Sequence, residues 1–275
     1  MLVNLTEILK IAEEKKIAIG AFNAPNMTAA RAIIDAAEEL GQPVILMHAQ
    51  VHEEMGLCKM EEVAPMMLFF AKRATVPVCV HLDHGTDLDY VKRGLALGFT
   101  SVMYDGSTLS TEENTENTRV AVAEAKKYGA SVEAEIGSMG AREGGGNGDA
   151  SIYTDPDEAV EFVKATGIDA LACAFGTAHG FYKDTPKLDF ERLSKIHDRI
   201  TVPIVMHGGS GVSPEDYKEV IRRGVRKVNY YTYMAAAGAK AVEGKTYNQF
   251  HDILLDAQAA MTENVKAAIT IFSGK

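Results

Sequence analysis

Short runs of β-branched and apolar residues alternate with longer amphipathic stretches along almost the whole chain. The short runs predict strands at 17–22, 44–47, 78–82, 101–104, 131–135, 170–175, 204–206 and 227–229. Helical patterns fall between them at 27–40, 60–74, 87–97, 112–128, 156–166, 189–199, 214–223 and 232–243. Several helices carry recognisable starts: Asp155-Pro156 before Glu158, Asp189 ahead of Glu191, and Ser213-Pro214-Glu215, with proline in the first turn. Gly41, Gly98, Gly129, Gly167 and Gly224 stand where helices must stop before the next strand, as left-handed terminators.

Strand followed by helix, repeated eight times, predicts an α/β fold of one kind, a closed parallel (β/α)8 TIM barrel. The competing doubly wound open sheet usually shows a glycine-rich turn after its first strand, and here that turn reads Asn23-Ala24-Pro25-Asn26. An N-terminal helix at about 4–14 precedes the first strand, and a C-terminal helical tail follows from about Tyr247. No linker, repeat or low-complexity stretch divides residues 1–275, which read as a single barrel domain. One long irregular segment, 136–153, holds six glycines between Gly137 and Gly148; after a barrel strand it is either disordered or a moving active-site element.

Composition narrows the function classes. A formal net charge of −10 argues against a nucleic-acid partner or an anionic membrane, and any phosphate site must be local. Cys58, Cys79 and Cys173 are too widely spaced for a thiol metal cluster, and read as reduced core thiols. The opening MLVNLTEILK lacks a signal-peptide pattern, and no apolar run reaches the roughly 18 residues of a membrane span. The expectation is a cytoplasmic, soluble protein.

Polar residues cluster just after the predicted strands, on the face where barrels place their active sites. HLDHG at 81–85, GTAHG at 176–180 and HGGSG at 207–211 each deliver a histidine beside a glycine at a strand end. Three neutral imidazoles, His84, His179 and His207, with a fourth position open make a catalytic zinc site. His81 and Asp83 share one side of their strand, with His84 at its end.

On these residues the sequence resembles the class II, zinc-dependent fructose-bisphosphate and tagatose-bisphosphate aldolase family. The matching stretches are Ala21-Phe22-Asn23, HLDHG at 81–85, SVMYDGS at 101–107, VEAEIGSMGAREGG at 132–145, GTAHGFYKDTPKLDF at 176–190, MHGGSG at 206–211 and KVN at 227–229, in the family's order. The resemblance implies His84, His179 and His207 as zinc ligands, and Asp83 as the acid that moves the proton on the aldehyde oxygen. It implies Glu143, eight residues beyond Glu135, as the residue that moves a proton at the nucleophilic carbon. Asp105 and Glu135 match acidic residues lining an alternative, more buried metal position. Asn23 falls in a matching stretch and is taken as substrate-binding; Gly180, Lys183, Gly208, Gly209, Ser210, Asn229 and Thr232 match the cradle for a dihydroxyacetone phosphate half. A homodimer or homotetramer, and the open question of a monovalent cation, come from the resemblance alone.

The chemistry agrees. Retro-aldol cleavage leaves negative charge on an enediolate, which Zn²⁺ stabilises as a Lewis acid. A metal-free route needs a Schiff-base lysine, and no lysine stands near the rim motifs in a plainly apolar strand. The backbone N–H groups of 208–211 suit a phosphate nest.

The sequence also departs from the family. A serine or threonine usual after the second strand is replaced by Met47-His48-Ala49-Gln50, and no arginine follows Arg226, so the family's Asp-Pro-Arg phosphate anchor is missing. Asn229 and Thr232 are kept, but with Tyr230, Tyr231 and Tyr233 around them. Losing a bidentate phosphate clamp removes charge-assisted hydrogen bonds of roughly 1.5–3 kcal/mol each. The expectation is therefore aldol cleavage with the dihydroxyacetone phosphate half retained and the aldehyde half altered, read by His48, Gln50 and Arg142. The alternatives are a bisphosphate aldolase with a changed C6-phosphate site, and a metal-dependent sugar-phosphate isomerase or epimerase using the same enediolate chemistry. A metal- and phosphate-binding sensor is the reading outside catalysis.

Overall fold

The computed structural model describes residues 1–137, 153–182 and 185–275. A two-residue strand β1 (Leu2–Val3) and helix α1 (Leu5–Lys15) come first, followed by β2 (Ile19–Asn23), α2 (Met27–Leu40), β3 (Val44–Ala49), α3 (Gln50–Glu54) and α4 (Met60–Arg73). Then come β4 (Val78–Gly85), α5 (Leu88–Leu97), β5 (Ser101–Tyr104), α6 (Thr111–Tyr128), β6 (Ser131–Ile136) and α7 (Pro156–Thr166). The chain ends with β7 (Ala170–Cys173), α8 (Phe190–His197), β8 (Ile204–Met206), α9 (Pro214–Arg222), β9 (Val225–Tyr230), α10 (Thr232–Val242) and α11 (Phe250–Phe272).

Strands β2 to β9 pair in parallel around a ring that β9 closes against β2, the (β/α)8 barrel that the alternation predicts. The expected helix starts are capped as their sequences require: Asp155 accepts from Asp157 and Glu158 backbone N–H groups, Asp189 from Arg192, and Ser213 from Asp216. Gly41, Gly98, Gly129 and Gly167 are left-handed C-caps; Gly224 follows the cap Arg223 by one residue, also with positive φ.

Some boundaries shift. The strand expected at 17–22 starts at Ile19, because Ile17 and Ala18 donate their backbone N–H groups to Ala12 and Phe272 instead of a neighbouring strand. β4 runs on to Gly85, three residues past the expected end at 82, because Ala49 of β3 and Tyr104 of β5 hold it on both sides. The strand expected at 170–175 stops at Cys173, and that expected at 227–229 extends over Val225–Tyr230. The five-residue α3 and the two-residue β1 were below the length that periodicity can reveal.

Two apolar layers hold the fold. Outside the barrel, strand residues such as Phe22, Leu46, Val80 and Val102 pack beneath the helices. Inside, Ile19, Ala21, Ile45, Met47, Ala172 and Val205 form a second cluster with Leu5, Ile8, Leu9 and Ala12 from one face of α1. That helix plugs the end of the barrel where the strands begin. Toward the other end the lining turns polar: His81, Glu133 and Lys227 are fully buried inside the barrel, and Asp83, Glu135, His207 and Asn229 follow on the same strands or just beyond them.

Candidate metal centre and active site

The alternation of side chains along a strand explains which residues converge. In β4 it turns His81 and Asp83 inward, and in β6 it turns Glu133 and Glu135 inward. His84 breaks the alternation. Its φ is +48°, an uncommon conformation for a residue with a side chain, and it lies in an irregular stretch of pairing between Leu82 and Gly85. Left-handed backbone there sends two adjacent side chains, Asp83 and His84, to the same mouth.

The ligating nitrogens of His84, His179 and His207 all lie within 4.8 Å of one another. Each of two rings is turned by a carboxylate behind it. His84 Nδ1 meets Asp105 Oδ2 at 2.6 Å, leaving Nε2 to face the centre. His207 Nε2 meets Glu133 Oε1 at 2.8 Å, leaving Nδ1 inward, 3.0 Å from His84 Nε2. Two ligands on one tetrahedral zinc with bonds of about 2.05 Å are separated by about 3.3 Å. A carboxylate behind a ligating imidazole fixes its tautomer and orientation. His84, Asp105 and Glu135 form a second group with the same closeness, and Glu135 Oε2 is buried without a hydrogen-bond partner among the described residues.

The charges point the same way. Burial alone would lower the His84 pKa, but Asp83, Asp105 and Glu135 outweigh it and hold it up at about 10. Burial and then the Asp105 carboxylate push Glu135 up to about 8, against the pull of His84. Burial would raise Asp83, yet His84, His207 and Lys227 bring it down to about 2. Burial and the neighbouring His84 lower His179 to about 4. A cluster this rich in carboxylates, which keeps His179 and His207 neutral and draws positive charge onto His84, is a donor set that fits a divalent cation.

The structure places the other expected residues as follows. Asn229 Nδ2 donates to Asp83 Oδ1 at 3.0 Å across the mouth. Gly208, Gly209 and Ser210 follow β8, with Ser210 Oγ accepting from the Tyr231 backbone N–H at 3.1 Å. Gly208 has φ +62°, and a Cβ there would stand 2.3 Å from the Ala178 carbonyl oxygen, so only glycine lets the His207 and His179 loops meet. Tyr182 ties the same two loops: its hydroxyl accepts from Ala178 N–H and donates to the Gly208 carbonyl, both at 2.8 Å. Asn23 ends β2, Gly180 follows His179, and Thr232 opens α10. Glu143, Arg142 and Lys183 lie outside the described residues. His48 and Gln50 have their polar groups engaged within the protein: His48 Nε2 with the Tyr90 hydroxyl at 2.9 Å, and Gln50 with Thr86 N–H and Glu54, both at 2.9 Å. Cys79 and Cys173 are buried free thiols, and Cys58 is partly buried.

Sequence reading missed the network behind His207. Lys227 is fully buried inside the barrel, with its ammonium 2.9 Å from Glu133 Oε2. His81 is held by Ser101 at 2.8 Å. The signal was present in the alternation of Glu133 with Glu135 and of Lys227 with Asn229, which puts each pair on one face.

A family model described as "Fructose-bisphosphate aldolase class-II" matches residues 3–275. The chain belongs to the class II fructose-bisphosphate aldolase family. It is thus a carbon–carbon lyase, and the family implies a divalent metal, zinc, which the His84, His179 and His207 group could bind. Among relatives of this class II aldolase, a probable fructose-bisphosphate aldolase of Bacillus subtilis (strain 168) is 41% identical, over 88% of this chain and 85% of its own. The fructose-bisphosphate aldolase of Staphylococcus aureus (strain Mu50) is 38% identical, over 98% of this chain and 97% of its own. The crystal structure of the YdjI aldolase from Escherichia coli K12 superposes with a TM-score of 0.90 at 35% identity, covering 99% of this chain and 97% of that one. Among the described residues, no helix is long and apolar enough to cross a membrane.

Proposed function

We propose that this class II aldolase cleaves a ketose phosphate reversibly to dihydroxyacetone phosphate and an aldehyde, with an aldehyde half that carries no tightly held phosphate. The observation that carries the reading is the convergence of three imidazoles, two of them oriented by carboxylates, beside Asp83, which Asn229 holds in place. In cleavage, Asp83 takes the proton from the hydroxyl that becomes the aldehyde carbonyl. The carbon–carbon bond breaks, and its electron pair stays on the dihydroxyacetone phosphate fragment as an enediolate. His84, His179 and His207 would hold the divalent cation, which when bound would supply Lewis-acid stabilisation of that charge. Glu143 returns a proton to the nucleophilic carbon, in the role that the family resemblance implies. Gly208 and Ser210 offer backbone N–H groups to the phosphate, while the Gly209 N–H is spent on the Asn229 carbonyl at 3.0 Å and Gly209 serves by close backbone approach; Gly180, Lys183, Asn23, Asn229 and Thr232 complete the cradle.

Asp105 and Glu135 offer a second metal position. The altered aldehyde half is supported by residues 227–275, which hold no arginine, and by residues 47–50, which hold no hydroxyl side chain. A cytoplasmic homodimer or homotetramer accords with the family and rests on it alone.

Cleavage rates for fructose 1,6-bisphosphate, tagatose 1,6-bisphosphate and ketose 1-phosphates without a terminal phosphate test the reading. Preference for the 1-phosphates is expected; efficient turnover of either bisphosphate removes the altered aldehyde half. Asp83→Ala separates cleavage from isomerase or epimerase chemistry: cleavage is expected to be lost while proton exchange on dihydroxyacetone phosphate persists.

A further inference from the structure

The mouth of the barrel carries a second imidazole group that the metal site leaves unused. α3, a single turn of helix after β3, sets His52 against Tyr231, with ring centroids 4.9 Å apart. Tyr231 follows β9 and His52 follows β3, with β2 running between those strands. The two rings therefore span the rim at the end of β2, where Asn23 stands. His52 is 5% exposed, and its Nδ1 has no hydrogen-bond partner among the described residues.

The polar groups around it are already satisfied. His48 Nε2 is held by Tyr90, whose hydroxyl donates to Glu53 at 3.0 Å. Arg93, the nearby cation, is paired with Glu53 and Glu61. A buried polar atom left unpaired is costly, and in a cleft that takes a polar ligand it marks a position for a ligand group. Around the mouth, the phosphate nest belongs to β8 and β9 and the proton-moving Asp83 to β4. His52, carried from β3, is on the arc beside Asp83, where the aldehyde half must extend. The carboxylate of Asp83 makes this a poor place for an anion, and burial lowers the His52 pKa, so a neutral ring faces a neutral group.

We propose that His52, backed by Tyr231, hydrogen-bonds a hydroxyl of the aldehyde half and selects polyhydroxylated aldehydes over apolar ones. The assignment rests on the aldolase reading above. It replaces His48 and Gln50, whose polar groups are engaged elsewhere, as the hydroxyl-reading element of that wall.

The test is condensation of dihydroxyacetone phosphate with glyceraldehyde or with propanal, which has no hydroxyl, in the zinc-loaded enzyme. Proton exchange on dihydroxyacetone phosphate alone serves as the control. His52→Phe keeps a ring against Tyr231 and removes both nitrogens; His52→Asn keeps a polar atom close to the Nδ1 position. His52→Phe is expected to lower kcat/KM for glyceraldehyde about tenfold, with propanal within about twofold of the parent enzyme. His52→Asn recovers most of the loss, and exchange is unaffected in both. Equal changes for the two aldehydes, or no change for either, overturn the assignment. A parent enzyme that neither exchanges protons on dihydroxyacetone phosphate nor condenses any aldehyde overturns the aldolase reading itself, and the role of His52 with it.

Discussion

Glu133 and Lys227 show how much of a candidate metal centre lies behind the residues that would touch the ion. Glu133 holds His207 Nε2 and is itself held by a fully buried lysine, so the direction in which Nδ1 points is set two side chains away. Glu133→Gln is expected to weaken zinc affinity about 10–100-fold, measured by competition with a chelator. Stability should fall by about 3–5 kcal/mol as well, because Lys227 is left as a buried, uncompensated charge. Glu133→Gln combined with Lys227→Met should restore stability without restoring affinity. Unchanged zinc affinity in the single variant would show that Glu133 does not orient the ligand. The three histidines of the candidate metal group were legible because each sits in a short motif beside a glycine. Glu133 and Lys227 were not, since they are 94 residues apart in the chain and a lysine in a short strand is ordinarily read as surface. His52 was hidden for another reason: one turn of helix has no period to expose it.

At the scale of elements, the longer helices were read to within a few residues, and many of their ends carry chemistry of their own: asparagine, aspartate or serine N-caps on α1, α2, α5, α6, α7, α8 and α9, and left-handed glycine C-caps on α2, α5, α6 and α7. Strand ends carry no comparable signal and depend on neighbours, which is why β4 reached Gly85 and took the histidine of the metal group with it. One contact between elements gives a pH test. Arg226 of β9, almost completely buried, donates to Glu13 of α1, which also pairs with Lys16. Burial works to raise the Glu13 pKa, but these two partners outweigh it and bring it from 4.5 down to about 2. A carboxylate depressed in the folded state stabilises fully above its unfolded value and loses that contribution as pH falls toward the folded one. Glu13→Gln should therefore lower Tm at pH 7, with the gap to the parent closing between pH 4.5 and about 2. The carboxylate is 44% exposed and screened by water, so the effect is about 1 kcal/mol at most. A gap that stays constant with pH would assign the loss to packing instead.

For the molecule as a whole, the alternation of strand and helix sufficed for the barrel, because a parallel ring is the closed arrangement that buries eight such units. What α1 does could not be read: its apolar face looks like that of any surface helix, yet its partners are the inside faces of strands from around the ring. A cation held by the polar centre would couple stability to metal. A cation that binds only the folded state adds RT ln(1 + [L]/Kd), about 4 kcal/mol at a thousandfold excess over Kd. Treatment with EDTA should lower Tm by several degrees and zinc should restore it, in calorimetry with no substrate present. An unchanged Tm would mean that the donor set does not hold a cation in the folded protein.

The plug formed by α1 also bears on traffic. A barrel stopped at its floor is a cul-de-sac, so substrate and both fragments must pass through one doorway. Whichever fragment lies nearer the floor waits until the other has gone. Departure is then sequential, and product-inhibition patterns should differ between the two fragments even though both are made in a single bond-breaking event.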